Sequence, residues 1–421
     1  MRLAPLSFLL AIALLTGCDG GPGSSLYDPD RPSLADPVIS NVTTDDPIVL
    51  AGIDVITIEG QNFSTVPSEN LVYFENGNGD FARGEVIEAS ATRLRVKTPN
   101  FPGATLNLRI SVVGAENYSS PMVFGLTAAV EVFGAVVTSE AEEVVALTRD
   151  NDGNLIAALQ RNGDAQGIFA FDETSGERTR VAEAARPWVD LTYNTDGTLI
   201  GVLSNRAIYS IPATGVGSVF AAAAAAEQPP AFTVVANASG DAVWAAGAEP
   251  APGTGEPAPQ TRFYKFAADR SYTVSTPQVG GAAFTGVVRD MIVRDGALYV
   301  ASQSTSTSRV VRFPIDASGD LGAGEVVYTP PTGSVTSIAF AADGTMYVGT
   351  TNRTNPIYEV TAGGVGSPLY PGVITGPVRA LAWDGSTGLY YSTPVVPGAT
   401  PEAAPTPAQL YKLETRRQGA P

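Results

Sequence analysis

Six stretches of this 421-residue sequence repeat one pattern: an apolar alternating strand, a turn ending in glycine, a second strand and, later, a third. They are "VVALTRDNDGNLIAAL" with "GIFAF", "WVDLTYNTDGTLIGVL" with "AIYSI", "FTVVANASGDAVWAA" with "RFYKF", "VRDMIVRDGALYVA" with "RVVRF", "VTSIAFAADGTMYVG" with "PIYEV", and "VRALAWDGSTGLYYS" with "QLYKL". The turn glycines, Gly153, Gly197, Gly240, Gly296, Gly344 and Gly388, are spaced by 44, 43, 56, 48 and 44. Four of the turns read Asp-Gly, a pair in which both residues tolerate φ > 0 and which favours a tight hairpin. One four-stranded sheet per forty to fifty residues is the period of a radial repeat, so residues 128–416 are expected to form a six-bladed β-propeller. The sixth repeat ends at "LYKLETRRQGAP" after its third strand. Its missing outer strand is expected from "AVEVFGAVVT" (129–138), which would close the ring and remove two exposed sheet edges. Residues 417–421 are left as a C-terminal tail.

The pattern resembles the NHL-type and gluconolactonase-like six-bladed propellers, although no blade carries a family motif beyond the hairpin. Ligands of propellers sit at the channel entrance, where the innermost strands begin. Alignment on the hairpin glycines puts Ala146, Asp190, Thr233, Asp290, Ser337 and Ala380 in one column, with a one-residue deletion at Asp290. Arg289 and Arg379 precede that column and Trp188 precedes the second strand of it. Asp190 and Asp290 suit Ca²⁺ or another divalent cation held with waters, whereas Trp188, Arg289 and Arg379 suit stacking and hydrogen bonding to a sugar or carboxylate. Pairing of the aspartates with Arg289 or Arg379, or a solvated place in the channel, is the plainer expectation. The gluconolactonase resemblance implies a Glu, Asn and Asp set around a divalent cation; here alanines fill two column positions and no Glu appears.

Residues 37–127 read differently. "VITIEGQNF", "LVYFENGNG", "TRLRVKTP" and "TLNLRISVVG" are short alternating runs separated by turn-formers, and period two marks half-buried strands of a β-sandwich. "PVISNV" leading to "GIDVITIEGQNF", then "VYFENG", "ATRLRVKTP" and "LRISVVG", resembles the IPT/TIG immunoglobulin-like domain, most specifically at Gly60–Phe63. Gly60 is expected to permit a tight turn and Phe63 to return into the core. The resemblance implies a spacer or docking module.

The N-terminus carries an address. Arg2 precedes an apolar run from Leu3 to Leu15, thirteen residues, too short for the roughly 20 a membrane span needs. Leu15-Thr16-Gly17-Cys18 resembles the lipobox of bacterial lipoproteins, which implies cleavage after residue 17 and acylation of Cys18. Residues 18–36, rich in Gly, Pro, Ser and Asp, read as a flexible tether. Cys18 is the one cysteine, so an exported chain of this kind has no disulfide. A cell-envelope location follows, at the outer membrane or cell surface in preference to the inner membrane.

The formal net charge is −17, which disfavours nucleic acid as a partner. No histidine occurs, which excludes Ser-His-Asp and Cys-His catalysis and His-ligated zinc. These features favour an all-β, monomeric, lipid-anchored envelope protein that presents its propeller as a non-catalytic binding or scaffolding surface for a glycan or protein. The alternatives are a divalent-metal-dependent lactonase-like hydrolase working through Asp190 and Asp290, and a purely structural envelope component.

Overall fold

The computed structural model describes residues 33–134, 142–182, 186–238, 242–250, 258–304, 307–383, 386–397 and 406–420. Cys18, the signal segment and Gly240 lie outside them. The chain divides into two compact units, each described by itself.

The first unit is an all-β, Ig-like domain. Its strands are β1 (Val38–Thr43), β2 (Val55–Gln61), β3 (Asn70–Glu75), β4 (Phe81–Ala89), β5 (Arg93–Lys97), β6 (Gly103–Val112) and β7 (Met122–Leu126), hydrogen-bonded in the order β1-β2-β5-β4-β3-β6-β7. Alternation in the sequence becomes alternation in burial: Leu106, Leu108, Ile110 and Val112 of β6 point inward. β4 belongs to both layers. Phe81–Gly84 pairs with β3, and from Glu85 onward the strand pairs with β5, with a bulge between Val86 and Glu88. The residue in left-handed conformation near the end of β2 is Asn62 (φ 63°), not Gly60. Gly60 is required for space, because a Cβ there would stand 1.9 Å from the Val38 carbonyl oxygen and 2.5 Å from the Phe63 ring. Phe63 itself is buried, as expected. Ordered contacts begin before residue 37: Leu34 N–H donates to the Gly114 carbonyl, and Asp36 accepts two bonds from Asn117.

The second unit is a six-bladed propeller. Its innermost strands are Glu142–Arg149, Asp190–Tyr193, Ala231–Asn237, Val287–Arg294, Val335–Phe340 and Ala380–Trp383, one per four-stranded antiparallel sheet. Each packs against the next, and the first packs against the sixth, so the ring is closed. The seal is the expected one. β8 (Val130–Val132) forms the outer strand of the sixth blade, pairing with Leu410–Glu414 in the register Tyr411↔Val132 and Leu413↔Val130.

An apolar core separates each pair of neighbouring blades. Second strands are therefore covered on both faces, and Leu199–Val202, Met346–Thr350 and Gly388–Ser392 are buried throughout. This is why they read as continuous apolar runs in the sequence. Of the Asp-Gly turns, Asp295-Gly296 has both residues left-handed. At Gly153, Gly197 and Gly344 the glycine alone is left-handed and closes a longer loop, capped in the first case by the Asp150 carboxylate. Gly388 lies in a strand, paired with Glu414, and not in a turn. Residues 417–420 are pinned and do not form a loose tail. Arg417 pairs with Asp343 and Glu359, and Ala420 N–H donates to the Phe340 carbonyl.

Candidate functional site

Each innermost strand is the edge of its sheet, so alternate N–H groups face the axis and need acceptors outside their own ladder. A bulge or its equivalent precedes the axial position in every blade, at Val145, Val189, Thr233, Arg289, Thr336 and Arg379. The residues that follow it form the true column: Ala146, Asp190, Val234, Asp290, Ser337 and Ala380. Thr233 is thus displaced by one place. It occupies the bulge, and buried Val234 takes the axial register.

Three column side chains satisfy backbone donors around the ring. Asp190 Oδ1 accepts the Leu191 N–H and its Oδ2 accepts Val235 N–H of the next blade, both at 2.9 Å. Asp290 repeats the arrangement, with Met291 N–H at 2.7 Å on Oδ1 and Ile338 N–H at 2.8 Å on Oδ2. Ser337 Oγ donates to Asp290 Oδ2 at 2.6 Å and accepts the Leu381 N–H at 3.0 Å. The aspartates therefore hold backbone amides of their own and the following blade; the expected partners Arg289 and Arg379 bond elsewhere. Burial pushes the Asp290 carboxyl up to about 6, against the pull of its three hydrogen bonds. Burial, and then the charge of Asp290, raises Asp190 well above the ordinary carboxylate range.

The other predicted ligand residues are dispersed. Trp188 is 1% exposed and lies in the core between the first two blades. It packs edge-on against Tyr209 at 5.8 Å, in a slot where a Cβ on Gly201 would come within 2.8 Å of its ring. It is a core residue, so stacking on a sugar at the channel mouth is not open to it. Exposed Arg289 donates to Gln303 Oε1, and Gln303 donates in turn to Ser334 of the next blade. Arg379 forms an ion pair with Glu143 at 2.6 Å, and Glu143 also accepts the Val395 N–H. Glu143 joins the first and sixth blades where their inner strands begin. Sequence reading passed over it, although the acidic pair Glu142-Glu143 directly ahead of an apolar strand was visible.

The axial set does not fit a divalent cation. Both oxygens of each carboxylate already accept backbone N–H groups, and among the described residues no three acidic or thiol side chains converge.

Residues 37–124 match the IPT/TIG domain family. This places the TIG domain ahead of the propeller. None of the curated proteins matches the chain. Among solved structures, a putative gluconolactonase is 14% identical, with a TM-score of 0.50 over 69% of this chain and 96% of its own. A gluconolactonase of Xanthomonas campestris is 13% identical, with a TM-score of 0.50 over 65% and 86%. A luciferin-regenerating enzyme is 11% identical, with a TM-score of 0.53 over 69% and 97%. At these identities the likeness is one of fold. Behind the TIG domain, the chain carries a six-bladed propeller whose fold resembles theirs.

Proposed function

We propose that the protein is an envelope lipoprotein, anchored through acylated Cys18, whose propeller is a non-catalytic binding or scaffolding surface for a glycan or an envelope protein, with the TIG domain as spacer. The observation that carries this reading is the use made of the axial polar groups. In a hydrolase of this shape, the axial carboxylates have to reach a substrate or a metal. Here Asp190, Asp290 and Ser337 are spent on backbone N–H groups that join one blade to the next. An axis built as a seam leaves the outer surfaces and loops for partners.

The anchor is tested by Cys18→Ala. The substituted protein is expected in the soluble envelope fraction and the parent in the membrane fraction; equal partition refutes anchoring. The non-catalytic reading is tested with aliphatic lactones in the presence of Ca²⁺ and after EDTA. Turnover that is lost in Asp190→Asn and on chelation would establish instead the metal-dependent lactonase, the reading that the fold likeness favours.

A further inference from the structure

The solvent side of the TIG domain carries a cluster that its core does not require. Along β3, Asn70, Val72 and Phe74 are buried, while Leu71, Tyr73 and Glu75 turn outward. On that outer side Phe81 and Tyr118 pack edge-on against Tyr73, with ring centroids at 5.6 and 5.7 Å. Phe81 is 60% exposed and Tyr118 51%. The residues paired with Tyr73 across β4 and β6 are both arginines, Arg83 and Arg109. The Arg83 guanidinium lies 5.9 Å from the centre of the Tyr73 ring, and Arg109 Nε lies 3.1 Å from a Glu75 oxygen.

We propose that this face is a binding platform for a polysaccharide whose sugars carry carboxylates. Exposed aromatic rings offer the apolar C–H faces of a pyranose a surface to lie on. Mutual edge-on packing fixes the three rings before any ligand arrives, which lowers the ordering cost of binding. The open sheet face suits an extended chain better than a small molecule that needs enclosure. Charge selects the class of sugar. Acidic residues outnumber basic ones 42 to 25 in the chain, yet both neighbours of Tyr73 in its cross-strand row are arginines; Arg109 is paired with Glu75, and the exposed Arg83 beside the Tyr73 ring offers a guanidinium fork that matches a carboxylate in geometry and sign. The platform lies wholly on the TIG domain and stands whether or not the propeller has a ligand.

The test uses the full chain in detergent, run through native gels that contain polygalacturonate, its fully methyl-esterified form, or polyglutamate. Retardation by polygalacturonate alone is expected. Phe81→Ala, Tyr118→Ala and Arg83→Gln are each expected to weaken it about tenfold, equivalent to about 1.4 kcal/mol, with melting temperatures lowered by no more than a few degrees, because all three side chains are largely exposed. Asp190→Asn, on the propeller, leaves retardation intact. Failure of polygalacturonate to retard the chain overturns the proposal. So does equal retardation by polyglutamate, which would reduce the effect to charge, or by the ester, which would remove the carboxylate from it. Retardation that survives all three substitutions overturns the placement of the site.

Discussion

Asp290 and Ser337 join three consecutive blades through one short hydrogen bond. The carboxylate holds the Met291 and Ile338 amides of the fourth and fifth blades, and the hydroxyl bonded to it holds the Leu381 amide of the sixth. Removal of the hydroxyl in Ser337→Ala leaves the Leu381 N–H without its acceptor and deprives Asp290 of a donor. A loss of about 1–3 kcal/mol is expected, the cost of an unsatisfied buried donor. Urea denaturation measures it; an unchanged midpoint would show that the hydroxyl carries no strain of the seam.

The axial acids give stability an unusual pH dependence. The folded Asp290 carboxyl, near 6, lies above its ordinary value of 3.8, so between those values the native state binds more protons than the unfolded chain. Stability from this group is complete below about 4 and declines as pH rises toward 6. Asp190, raised in the same direction, adds to the decline. The surface acids Asp172 and Asp343, lowered by hydrogen bonds, act oppositely and only below their ordinary value. The difference in urea midpoint between parent and Asp290→Asn, followed from pH 4.5 to 7, should therefore change in favour of the variant as pH rises.

Trp188→Ala is expected to cost about 3–5 kcal/mol, as for a large aromatic side chain removed from a packed core. Thermal melting checks this. A side chain at a solvated channel mouth would show almost no change.

The Arg379–Glu143 pair closes the ring between its first and last blades, with 34% and 24% of the side-chain surface still exposed. A double-mutant cycle with Arg379→Ala and Glu143→Ala should give a coupling of about 0.5–1 kcal/mol, since half-exposed pairs are screened by water and salt. The single Glu143→Ala change should exceed its share of that coupling, because it also releases the Val395 amide.

Truncation after Arg416 removes the Arg417 ion pairs and the Ala420 amide bond that fasten the end of the chain beneath the fifth blade. A lower melting temperature is expected. A dispensable tail would leave it unaltered.

Architecture was legible because repetition and alternation are direct consequences of strand geometry. The six blades, the borrowed closing strand and the inward return of Phe63 all follow from period two and from the need to remove sheet edges. The axis was half legible. Asp190, Asp290 and Ser337 did fall in one column, but a bulge inserts a residue without altering the hydrophobic pattern, and so Thr233 took the place of Val234. Trp188 misled for another reason. A tryptophan ahead of an inner strand looks the same whether it faces the channel or the next blade, and only the glycines opposite it, Gly201 and Gly217, show which. Glu143 was hidden because its partner lies 236 residues away.

Since β8 and Leu410–Glu414 lie side by side in one blade, the beginning and the end of the propeller are neighbours in space. A ring with adjacent ends has no privileged starting blade. The chain could be joined at that seam and cut in another loop between blades, and the same contacts would still be available to the permuted order. Only the place at which synthesis finishes, and with it the last blade to be completed, would change.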